Sequence, residues 1–177
     1  MILPIVAYGS PILREKCEDI SDTPENREII KSLIETQQSI KTSVGLALPQ
    51  INYKLNGFIS LIDGKQQVVL NPRIKKYRGE QLSSEGCLSI PLDKFEQSPY
   101  INRNDIIEIE YFDQEFRKQT RRLRKFESVV FQHEFDHLQG ILFIDYFNPK
   151  EKENIKEKLS LIEKGEVKSY YPMIFSK

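Results

Sequence analysis

Only two histidines occur among the 177 residues, and they stand four positions apart in Gln132-His133-Glu134-Phe135-Asp136-His137. On a helix, residues i and i+4 project from one face, so both imidazoles can reach one metal ion while Glu134 beside them can touch a water there. The flanking Val129, Val130, Phe131 and Leu138, followed by Ile141, Leu142 and Phe143, are apolar, which puts this helix in the core. A buried pair of imidazoles needs a polar partner, and a metal ion supplies one. The rest of the chain is therefore expected to pack around a short central helix.

The other elements follow from periodicity and punctuation. Thr23, Pro24 and Glu25 read as an N-cap, a first helical proline and a first-turn acid. With Ile29, Ile30, Leu33, Ile34 and Ile40 at helical spacing, they predict an amphipathic helix near residues 24 to 41. The central helix spans about 127 to 139, with Gly140 as its stop. A third starts at Asn148-Pro149, buries Ile155, Leu159 and Ile162, and stops at Gly165. Between the first two, residues 57 to 62 and 67 to 70 flank an Asp63-Gly64 turn signal and predict a hairpin. In residues 105 to 111, Ile107, Ile109 and Tyr111 share one face with acids between them, as a half-buried strand requires. This order implies an α+β fold of antiparallel sheets around the central metal-binding helix, with an N-terminal and a C-terminal helix.

A chain of this length with 39% hydrophobic residues can build one core, so residues 1 to 177 are expected to form one catalytic domain. Twenty-six basic residues balance twenty-six acidic ones, so no net field draws the protein to specific DNA or to an anionic membrane. No segment approaches the roughly 20 apolar residues of a membrane span, and residues 1 to 11 carry no basic leader. The expected location is the cytoplasm, or an organelle after removal of a targeting segment. Six cations between Arg117 and Lys125 could touch ribosomal RNA transiently, but an edge strand protected by positive charge explains them more simply.

With both histidines used, a third metal ligand must be Cys, Asp or Glu. The longer metzincin pattern is excluded because Phe143 stands where its third histidine belongs. Glu157, on the C-terminal helix, is one candidate, although Lys156 and Lys158 beside it suggest an ion-paired surface. Cys87 is better placed, since a thiolate with two imidazoles leaves a fourth tetrahedral position open for catalysis. Two cysteines are too few for a disulfide framework, and Cys17 reads as an incidental thiol.

The chain resembles the peptide deformylases. The resemblance rests on Val44-Gly45-Leu46-Ala47-Leu48-Pro49-Gln50, on Glu85-Gly86-Cys87-Leu88-Ser89 and on the histidine motif through Leu138, in the family's order, and extends from Ile12 to Asp145. It implies a metal-dependent hydrolase that removes the formyl group from the N-terminal formyl-methionine of nascent proteins; the alternatives are another H-E-x-x-H hydrolase, such as a peptidase, and a metal-binding but inactive family member acting as a binding module. Cys87, His133 and His137 would hold one divalent ion, natively Fe²⁺, replaceable by Ni²⁺, Co²⁺ or Zn²⁺. Glu134 would be the acid/base, and Gln50 with the Leu88 backbone N–H would meet the charge on the formyl oxygen. Gly45, Leu46, Leu48, Glu85, Gly86 and Arg103 would bind substrate, Gly45 by letting the peptide approach as an added strand, and Leu48 by projecting into the methionine pocket unless it points into the core behind the motif. The sequence departs from the family pattern at Ser43 and Leu48, where glycine and alanine are usual, at Lys125 in place of glycine, at Ser128-Val129, and in a longer stretch over residues 92 to 102.

Overall fold

The computed structural model describes residues 1–91 and 98–176; the front of the longer stretch lies outside them. Strands β1 (Ile5–Val6), β2 (Leu46–Ala47), β3 (Gly57–Ile62), β4 (Lys65–Arg78), β5 (Gln81–Ser84), β6 (Tyr100–Arg103), β7 (Ile106–Phe112), β8 (Lys118–Arg124) and β9 (Met173–Ile174) accompany helices α1 (Pro24–Ser39), α2 (Lys125–Leu138) and α3 (Pro149–Glu163). Antiparallel pairing in the order β2-β3-β4-β7-β8 makes the main sheet, and β5 pairs with β6.

The β3–β4 hairpin turns through Asp63 and Gly64, both at positive φ, the backbone that a two-residue turn between twisted strands requires. Side chains alternate across these strands, and both faces are covered. Ile59, Val68 and Leu70 pack with Ile30 and Leu33 of α1. Phe58, Ile62 and Val69 pack with Phe131 and Leu138 of α2, with Phe58 and Phe131 edge to face at 5.0 Å. From β7, Ile107, Ile109 and Tyr111 join the α2 side. α2 is thus walled by sheet, as its apolar flanks demand.

β4 runs eight residues past the expected 67 to 70 segment. Asn71-Pro72 reads as a stop, but Asn71 (φ 48°) forms part of an irregularity in the pairing with β7. Its side chain accepts from the Ile20 N–H at 2.7 Å and donates to the Ile20 carbonyl at 2.8 Å, so the strand bends and continues. β8 is one edge of the main sheet, and its cations face acids: Lys118–Glu110 at 3.2 Å and Arg121–Asp63 at 3.4 Å. α1 ends two residues before the expected boundary, with Thr23 capping its start through the Asn26 N–H. α2 ends with Gly140 at φ 73°, where the Ile141 and Gly140 N–H groups donate to the Asp136 and His137 carbonyls. Lys125 takes φ 53° at the start of α2, a left-handed conformation that glycine adopts without steric cost. Among the described residues no helix is long and apolar enough to cross a membrane.

Candidate metal centre

Cys87 leaves β5 on a tight loop closed by the Ile90 N–H donating to the Cys87 carbonyl at 3.0 Å. The loop lies against α2, so the ligand atoms of Cys87, His133 and His137 fall within 4.8 Å of one another. His137 Nε2 is 3.4 Å from Cys87 Sγ. His133 Nδ1 is 2.7 Å from Glu85 Oε2, which makes Nδ1 the protonated nitrogen and leaves Nε2 free to coordinate. A soft thiolate and two inward-facing imidazoles fit a first-row transition ion. Glu157 is exposed on α3 and outside this cluster.

The resemblance assigns Glu85 and Arg103 to substrate; Glu85 does line the cleft, whereas Arg103 sits behind it. Arg103 is buried and holds Glu85 with two bonds, Nε to Oε1 at 2.8 Å and a terminal nitrogen to Oε2 at 3.0 Å. Its other terminal nitrogen donates to Asp136 at 2.6 Å, and Tyr146 O–H donates to the same Asp136 oxygen at 2.9 Å. Burial alone would raise the Glu85 pKa, but His133 and Arg103 outweigh it and lower it to about 2. The Asp136–Arg103–Glu85 chain keeps an anion against His133 and fixes its ring; Arg103 has no access to the cleft. Asp136 and Tyr146 were not singled out from the sequence, although Asp136 lies inside the motif itself.

Glu134 is buried against Gly45. A Cβ at position 45 would overlap Glu134 Oε1 and lie 2.8 Å from its Cδ, so only glycine leaves room for the carboxylate. Burial, offset only in part by His133, pushes the Glu134 pKa up to about 7. Its Oε2 has no partner among the described residues. Gln50 accepts the Ala47 N–H at 2.8 Å and points its amide nitrogen at Cys87 Sγ (3.4 Å) and Ser89 Oγ (3.2 Å). Leu88 and Gly86 border a cleft of about 740 Å³ whose wall includes Val44, Phe126, Val129 and Val130.

Leu46 and Leu48, also assigned to substrate, point the other way. Both side chains are fully buried in the α1-side core and neither lines the cleft. Leu46 can meet a ligand only through its backbone, since β2 is the open edge of the main sheet. Leu48 fits because its neighbour is glycine: a Cβ on Gly57 would lie 2.8 Å from Leu48 Cδ1. Leu48→Ala is therefore expected to cost about 2–5 kcal/mol in a denaturant melt with metal content unchanged. A loss under about 1 kcal/mol would place this side chain outside the core. Ser43 spends its hydroxyl on the Gly45 carbonyl at 2.7 Å, and Ser128 donates to the Asn104 carbonyl at 2.8 Å, so both departures are absorbed by local hydrogen bonds. Cys17 is buried far along the chain from the cluster, and burial pushes its thiol up to about 11.

Comparison with known proteins shows the family. The family model described as polypeptide deformylase matches residues 2–153. A peptide deformylase of Flavobacterium psychrophilum is 38% identical, covering 98% of this chain and 96% of its own, and one of Christiangramia forsetii is 36% identical, covering 99% and 96%. The crystal structure of the Thermus thermophilus peptide deformylase superposes with a TM-score of 0.83 at 33% identity, over 93% of this chain and 99% of that one.

Proposed function

The chain belongs to the peptide deformylase family, and on that premise we propose that it removes the formyl group from N-terminal formyl-methionine with Cys87, His133 and His137 as metal ligands, Glu134 as acid/base, and Gln50 and the Leu88 N–H as oxyanion donors. The observation that carries this assignment is the convergence of the three ligand atoms beside a buried carboxylate at the wall of an open cleft. A thiolate with two imidazoles suits iron, nickel, cobalt or zinc over magnesium or calcium, and we take Fe²⁺ as the native ion. Held by these three residues, the ion would supply Lewis acidity toward the formyl oxygen and would lower the pKa of water enough for hydroxide to be available near neutrality. The substrate is the nascent chain, and the working compartment we assign is the cytoplasm.

The protein's own groups then have defined tasks. The peptide extends along the open edge of β2, and the methionine side chain lies against Phe126, Val129 and Val130. Glu134 takes the proton from the attacking water and delivers it to the amine nitrogen as the formyl C–N bond breaks, so formate and a free N-terminus leave. The Gln50 amide and the Leu88 N–H stabilise charge on the formyl oxygen, and Glu85, held by Arg103, keeps His133 oriented. Formate release from a formyl-methionyl peptide, measured on anaerobically purified protein with metal analysis of the same sample, tests the reading. Release at one equivalent per peptide with about one ion per chain is expected; a fully metallated protein that releases none would overturn it.

A further inference from the structure

The family match ends at residue 153, yet the chain beyond it returns to the metal centre. Gly165, at φ 73°, turns the backbone after α3. β9 then pairs in parallel with β1, and the Ile5 and Ala7 N–H groups donate to the Pro172 and Ile174 carbonyls, each at 2.8 Å. This anchoring lays Lys168, Ser169, Tyr170 and Tyr171 along the cleft wall. The Tyr171 O–H donates to the Leu88 carbonyl at 2.8 Å.

That bond falls on the loop that carries both a metal ligand and an oxyanion donor. The loop belongs to no continuous ladder; its backbone is otherwise tied by the Tyr8 N–H to the Ser89 carbonyl at 2.8 Å and by its own Ile90–Cys87 bond, and its side chains by Gln50 to Ser89 Oγ and Cys87 Sγ and by His137 to Cys87 Sγ. None of those ties acts on the Leu88 carbonyl, whose orientation sets the torsion of the residue between the two peptides. Oxyanion donors work only when preorganised, because a donor that must swing into place pays for the reorganisation during the reaction. We propose that Tyr171 is a positioning residue: from a segment outside the family match, it holds the Leu88 backbone so that its N–H faces the developing charge. The inference rests on the deformylase reading of the site.

The test is Tyr171→Phe in the full chain, which keeps the ring and its packing and removes only the donor. In the metal-loaded enzyme, kcat for formate release from a formyl-methionyl peptide should fall about three- to tenfold, as expected for one lost neutral hydrogen bond. KM should stay within about twofold, with metal content and melting temperature unchanged. In metal-free protein the Leu88 and Ser89 amide resonances should shift or broaden while that of Tyr8 stays. A purely packing role for the ring would leave kcat and the amide resonances as in wild type, and that result overturns the proposal. So does a fall in kcat matched by metal loss. Failure of the underlying function is distinct, because then the wild-type protein itself would release no formate.

Discussion

Glu134→Gln is expected to leave one metal ion per chain in place while turnover falls by at least about 100-fold, the usual loss when a general base is removed. Glutamine has nearly the size of glutamate, and the seat against Gly45 has no spare room, so the substitution preserves packing where a larger residue would not. What it removes is proton exchange. The carboxylate is buried, with a pKa pushed up to about 7 by that burial, which suits a group that must both take and return a proton near neutrality. Metal analysis beside steady-state formate release separates the possibilities. Loss of the ion would make Glu134 a ligand, and near-normal turnover would assign the proton transfers to another group.

Cys87→Ala should abolish both stable metal binding and activity. The two imidazoles that remain leave an ion with half of a tetrahedral shell, and among the described residues no other acidic or thiol group joins the cluster. The loop itself should survive, because its Ile90–Cys87 bond is made by the backbone and does not need the thiol. Equilibrium dialysis against a weak chelator, followed by elemental analysis, reads the first effect and formate release the second. Retention of full occupancy would show that the thiolate is dispensable and would remove Cys87 from the ligand set. A variant that loses the ion but keeps its melting profile would show that the metal belongs to the chemistry more than to the fold.

Much of this protein is written locally. The central helix, its Gly140 stop, the Asp63-Gly64 hairpin and the Asn148-Pro149 helix start are each dictated by neighbours within about four residues, so they can be read from short windows. The histidine pair shares that property, because helical spacing alone puts His133 and His137 on one face. The third ligand is different: Cys87 lies 46 positions before His133, and ligand chemistry, with the resemblance of its motif beside it, singled it out where spacing could not. Which way side chains point was legible inside strands and helices but not in the turns between them. Leu48 is two residues from Gln50, yet one fills the core beside Gly57 and the other reaches the thiolate, a division made by the turn that follows β2 and by which face of the sheet each meets. Arg103 reads as a substrate contact and is a buried brace, because Glu85 and Asp136, 18 residues before it and 33 after, converge on it only in the folded chain. Tyr171 carries no local signal, and its bond to Leu88 spans 83 residues. Short-range patterns therefore determined the elements and the chemistry on offer, whereas the packing of distant strands and loops decided which polar groups face the ion and which hold them there, since such contacts depend on loop closure and on no periodicity a sequence can display.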